Sequence, residues 1–65
     1  MNTLKYLREN MGLTQSQVAA IAGITQQAYS LIETGQNNPS LETALCLSKL
    51  FQKTVDDIFI FQKTI

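Results

Sequence analysis

Apolar residues along this chain recur three and four positions apart in short blocks, and glycine, proline and hydroxyl residues separate the blocks. That is the period of short amphipathic helices that need one another to bury their apolar stripes. The pattern predicts five. The first runs from Asn2 or Thr3 to Met11, with Leu4, Leu7 and Met11 on one stripe and Gly12 as its stop. The second spans Gln15 to Ala22 and buries Val18, Ala19 and Ala22, with Ile21 partly covered. The third spans Gln26 to Thr34, turns Tyr29 and Ile32 inward and ends at Gly35. A turn-rich loop, Gln36 to Pro39, leads to Ser40. Ser40 caps a fourth helix over Leu41 to Phe51, whose inward stripe is Leu41, Ala44, Leu45, Leu47, Ser48 and Phe51. Thr54 caps a short fifth helix, where Asp56 and Asp57 suit the positive amino-terminal end. The tail from Phe59 to Ile65 is apolar and β-prone. No long strand pattern precedes it, so the expected fold is all-α with a short extended tail, in one domain over residues 1–65.

The segment from about 14 to 34 is the most specific part. Thr14 and Gln17 have the spacing of a capping box, in which the threonine side chain takes the helix N–H and the glutamine reaches back. Ala19 is small where two crossing helices approach. Gly23 can take the left-handed conformation that ends a helix, and Thr25 caps the next one. This is the grammar of a helix-turn-helix, whose second helix enters the DNA major groove. From Leu4 to about Phe59 the chain resembles the Cro/phage-repressor type of helix-turn-helix regulator, the XRE family. The resemblance implies a five-helix lambda-repressor-like DNA-binding domain and double-stranded DNA as partner.

Site residues follow from that resemblance. Arg8 matches the first-helix arginine that pairs with the glutamate ending the third helix, here Glu33, and the pair is read as structural. Gln15 opens the second helix, whose free N–H groups suit a phosphate; the resemblance implies a phosphate contact there and a brace onto Gln26. The caps Thr14 and Thr25 beside it are expected to contact phosphate as well. Gln26 and Gln27 match the positions that reach base edges, and a glutamine amide fits the N7 and N6 atoms of adenine. Ser30 and Leu31 extend that face by a turn. Leu31 can pack on a thymine methyl, mark a protein-binding face or tuck under its neighbours. Ala28 is small enough to let the helix sit deep, and Tyr29 is read as core. Gln36, Asn37 and Asn38 match a phosphate-holding loop, through side-chain amides and backbone N–H groups. Regulators of this type dimerise through carboxy-terminal elements. The apolar residues Leu50, Ile58, Phe59, Ile60 and Phe61 exceed what one small core needs, so the segment from about 54 to 65 is expected to form a two-fold dimer. A dimer places two recognition helices one DNA turn apart, ~34 Å, on a palindrome.

Charge complicates this picture. The 65 residues carry five basic and five acidic side chains and no net charge. The cations are Lys5, Arg8, Lys49, Lys53 and Lys63, so none falls between Glu9 and Ser48, where the reading unit lies. The basic face expected of a DNA binder is missing, although amides, hydroxyls and helix ends also hold phosphate. The rival reading is a protein-interaction module of the same fold, antitoxin-like or partner-binding, with weak or no DNA affinity. An enzyme is not expected, for there is no histidine, and Asp56 and Asp57 diverge on a helix. One cysteine without histidine makes a poor metal site, so neither metal nor cofactor is expected. Cys46 falls on the outer side of the fourth helix and reads as an inert surface thiol. No apolar run is long enough for a membrane span and the amino terminus lacks a signal pattern, so the expected location is the cytoplasm.

Overall fold

The computed structural model describes residues 2–59. Five helices follow one another: α1 over Leu4–Asn10, α2 over Gln15–Ala22, α3 over Gln26–Glu33, α4 over Leu41–Phe51 and α5 over Val55–Ile58. Four of them start on a hydroxyl cap. The side chains of Thr14, Thr25, Ser40 and Thr54 each accept the N–H three residues on. At Thr14 the box is complete, because the Gln17 side chain also accepts the Thr14 N–H at 2.8 Å. Gly23 closes α2 at φ 72°, a left-handed backbone that glycine enters without steric cost, and its N–H returns to the last turn.

The core is one cluster: Leu4, Val18, Ala19, Tyr29, Ile32, Ala44, Leu47, Phe51, Ile58 and Phe59. Every helix contributes to it. Several outlying positions differ from the expected stripes. Met11 lies beyond the end of α1 and is half exposed. Ile21 is also half exposed. Leu41 and Leu45 do not face inward; they are 74% and 49% exposed. At ~100° per residue, the buried line through Ala44, Leu47 and Phe51 passes nearer to Thr43 than to either leucine. Thr43 is accordingly buried, its hydroxyl oxygen accepting from Ser40. Cys46 is on the outer side of α4 but half-covered, with its thiol against the Ile21 carbonyl at 3.5 Å.

The two ends of the described chain are tied together. Asn2 donates to the Ile32 carbonyl at 2.9 Å while its Oδ1 accepts the Leu4 N–H. Thr3 donates its N–H to the Ile58 carbonyl at 2.9 Å. Asn2 and Phe59 form an isolated antiparallel bridge. This corrects the dimer expectation for Ile58 and Phe59. Both are core residues, 0% and 5% exposed, because the amino-terminal strap folds over them. Leu50 is half-buried against the same core. Ile60 and Phe61, with the rest of the expected extended tail, lie outside the described residues.

Arg8 and Glu33 hold α1 to α3. The guanidinium meets the carboxylate with two parallel bonds, Nε to Oε2 and Nη2 to Oε1, both 2.9 Å. Nη1 donates to the Leu13 carbonyl, also at 2.9 Å. The two side chains are 12% and 4% exposed. Burial acts to raise the Glu33 pKa, but Arg8, the neighbouring Tyr29 hydroxyl, the Gln15 amide and the guanidinium charge outweigh it, so the carboxyl sits below its ordinary value. Tyr29 is fully buried beside the pair, and burial first, then the Glu33 carboxylate, push its pKa up. Its hydroxyl is the one buried side-chain polar atom among the described residues without a hydrogen-bond partner.

These facts predict stability. A carboxyl with a lowered folded pKa stabilises fully above its ordinary value of 4.5, and that contribution is lost as the pH falls through the folded value. Denaturant titrations should therefore show a steeper loss between pH 7 and acid in the wild type than in Glu33→Gln. Arg8→Met strands a covered carboxylate and should cost about 3 kcal/mol at pH 7. Tyr29→Phe removes an unpaired buried hydroxyl, so its unfolding free energy should stay within about 1 kcal/mol of the wild type or rise.

Candidate nucleic-acid interface

Three adjoining pieces of backbone make the face: the start of α2, the start of α3 and the loop after α3. At α2 the capping box uses the N–H groups of Thr14 and Gln17, and the first-turn N–H groups of Gln15 and Ser16 lie between them. Ser16 is exposed and was not singled out from the sequence, although its place in the first turn of a capped helix marks it. Thr14 is exposed, with its hydroxyl oxygen engaged by the cap.

Gln15 differs from expectation. Its Nε2 donates to Glu33 Oε1 at 3.3 Å, so the amide is bonded to the carboxylate that Arg8 also holds, not to Gln26. A charged acceptor is the stronger one. The residue therefore ties the start of α2 to the end of α3, and its half-covered position fits that duty.

Along α3, Thr25 spends its hydroxyl oxygen on the Ala28 N–H at 3.1 Å. Gln26 and Gln27 are exposed in the first turn, where a helix laid into a groove leads with its end. Ala28, Ser30 and Leu31 are half-covered, so Leu31 is neither a free wedge nor a core residue. Tyr29 points wholly into the core and does not reach the rim.

The loop is partly committed to itself. The N–H groups of Gln36 and Asn37 both return to the Leu31 carbonyl, at 2.9 and 3.1 Å. The Thr34 hydroxyl donates to the same carbonyl and accepts from Gln36 Nε2. The expected phosphate grip through the backbone N–H groups of Gln36 and Asn37 is thus not on offer. The exposed side chains of Asn37 and Asn38 remain as donors.

Between Asn10 and Leu41 the only charged residue is Glu33, and the Arg8 pair hides it. The whole face is uncharged. Exposed Lys5, Lys49 and Lys53 lie on other elements, α1, α4 and the turn after α4, and Lys63 lies outside the described residues.

Similarity to known proteins agrees with this layout. The helix-turn-helix family matches residues 4–58. An uncharacterised HTH-type transcriptional regulator of Methanocaldococcus jannaschii, MJ0272, is 39% identical over 61 residues, 94% of this chain and 92% of that one. The uncharacterised regulator YgzD of Bacillus subtilis is 36% identical over 58 residues, 89% of this chain and 88% of that one. The transcriptional activator BcrR of Enterococcus faecalis is 36% identical over 55 residues, which cover 85% of this chain but 27% of that protein. Among the described residues no helix is long and apolar enough to cross a membrane. The match spans all five helices, and the chain belongs to the helix-turn-helix transcriptional regulators of the Cro/phage-repressor, or XRE, type, a family of DNA-binding regulators and not of enzymes.

Proposed function

We propose that this regulator reads operator DNA by laying α3 into the major groove, with Gln26 and Gln27 on base edges and Ser30 and Leu31 one turn further along. The observation that carries this reading is the pair of glutamines, exposed in the first turn of a helix whose orientation α2 and the Arg8–Glu33 clamp fix. The N–H groups of Gln15 and Ser16, with the caps Thr14 and Thr25, flank the backbone of the duplex. The side-chain amides of Asn37 and Asn38 meet the next phosphates.

Neutral contacts of this kind position a protein but release few counterions. Non-specific affinity is therefore low, and discrimination rests on the glutamines. Two copies on a palindromic operator double the number of base contacts, and a homodimer is the form in which so small a surface becomes selective. An occupied operator excludes the transcription machinery, so repression is the expected sign. The cytoplasm is the expected location.

The second reading is a module that binds a protein through the same face, antitoxin-like, with little DNA affinity. The absence of charge between Asn10 and Leu41, apart from buried Glu33, is what favours it.

Fluorescence anisotropy on DNA from upstream of the protein's own gene, against scrambled DNA across a salt series, separates the two. Sequence-dependent binding is expected, with a log–log salt slope below about 2 in magnitude per protomer, since few lysines can reach phosphate. Gln26→Ala and Gln27→Ala should each weaken specific binding about tenfold or more, the value of a bidentate amide–adenine contact, and leave the salt slope unchanged. Binding to no duplex, even at low salt, would transfer the face to a protein partner.

A further inference from the structure

Tyr29 carries a buried polar group that base and phosphate contacts leave unused. It is the largest fully buried side chain among the described residues, and its hydroxyl is the one buried side-chain polar atom there without a hydrogen-bond partner. A buried hydroxyl without a partner is costly, and phenylalanine would fill the same space without that cost. Yet a strong acceptor stands beside it. Tyr29 precedes Glu33 by four residues, so the two share one face of α3. Burial first and then the Glu33 carboxylate hold the Tyr29 pKa above its ordinary value, so the phenol keeps its proton and is a standing donor.

Glu33 already takes three bonds. Two come from Arg8 at 2.9 Å, and the third comes from Gln15 Nε2 to Oε1 at 3.3 Å. The Gln15 bond is the longest of the three, and Gln15 opens α2 on the proposed DNA side. We propose that Tyr29 is a positioning residue for phosphate contact: when the Gln15 amide leaves Glu33 for a phosphate oxygen, the Tyr29 hydroxyl donates to the carboxylate in its place. The exchange loses no hydrogen bond. Gln15 trades one charged acceptor for another. Glu33, whose side chain is 4% exposed, keeps three bonds, and Arg8 does not have to move. Tyr29 gains the partner it lacks. Without the hydroxyl, a covered carboxylate would be left one donor short at the moment of binding, and the bond to Glu33 would hold the Gln15 amide back from the duplex.

The proposal rests on the operator reading for its ligand, a backbone phosphate. The exchange itself belongs to the free protein, because removing the Gln15 amide opens the same place on Glu33. The two parts are therefore measured separately.

Denaturant titrations of the full chain at pH 7, without DNA, form the first cycle: wild type, Gln15→Ala, Tyr29→Phe and the two combined. Tyr29→Phe alone should leave the unfolding constant within about fivefold of the wild type. Once Gln15 is alanine the hydroxyl bonds Glu33, and the same substitution should then raise the unfolding constant roughly tenfold more, the scale of a hydrogen bond to a charged group. Equal effects in the two backgrounds overturn the proposal, because they mean that Tyr29 has a partner of its own or bonds Glu33 alongside Gln15. If either substitution disturbs the helix content, the emission of Tyr29 decides, read in Tyr6→Phe so that it is the only tyrosine. Gln15→Asn, whose shorter amide falls short of Glu33, should then quench it, as donation to a carboxylate does; unchanged emission overturns the exchange. Fluorescence anisotropy on the preferred duplex forms the second cycle. Tyr29→Phe should weaken binding about fivefold in the wild type and not at all once Gln15 is alanine. Equal weakening in both backgrounds overturns the role in phosphate contact. A wild type that prefers no duplex overturns the operator reading alone, since the first cycle decides the exchange without DNA.

Discussion

The bidentate clamp between Arg8 and Glu33 is the constraint on which the rest of this small fold depends. The guanidinium uses Nε and Nη2 on the carboxylate and Nη1 on the Leu13 carbonyl. Glu33 then has acceptor capacity left for Gln15. One covered ion pair thus fixes α1, the turn after it, the start of α2 and the end of α3 relative to one another. Arginine does this where lysine could not, because its planar fork supplies parallel donors and a third in a fixed direction. The cost of taking two charges out of water is met by hydrogen bonds on both partners. Without the clamp, α3 would be held by the burial of Tyr29 and Ile32 and by the single Asn2 bond to the Ile32 carbonyl, and apolar contact sets position less strictly than a directed hydrogen bond.

That clamp also consumes the only charge in the reading unit. What remains outside is a surface of amides, hydroxyls and helix-start N–H groups. Such a surface is selective in geometry and indifferent in charge. On the proposed operator reading it gains little from the phosphate field, and so little affinity is spent on unrelated DNA. The proposed homodimer fits that economy, since a face with few contacts per copy relies on being presented twice.

Much of this was legible in the sequence, and the legible part is local. Thr14 with Gln17, Thr25, Ser40 and Thr54 act within one helical turn, and Gly23 acts on its own backbone, so their roles follow from nearest neighbours. The clamp was visible through resemblance. What the sequence hid depends on distant chain. Phe59 looked like spare apolar surface until Asn2 was found bridged to it. Gln15 faced two acceptors, and only the fold shows that the charged one lies in reach. The loop N–H groups of Gln36 and Asn37 looked available because nothing local reveals that the chain bends back to Leu31. Leu41 and Leu45 fitted a stripe by spacing, and three and four residue steps alone could not fix where its centre lay.

The strap that joins Asn2 and Thr3 to Ile58 and Phe59 bears on the order in which the molecule comes into being. During synthesis the capped α2–α3 pair leaves the ribosome well before the residues that hold down the start of α1. Leu4 has part of its cover only when Ile58 and Phe59 arrive, and those contacts span nearly the whole described chain. The nascent chain therefore releases α3 early but completes the core that holds it only once Ile58 and Phe59 have emerged.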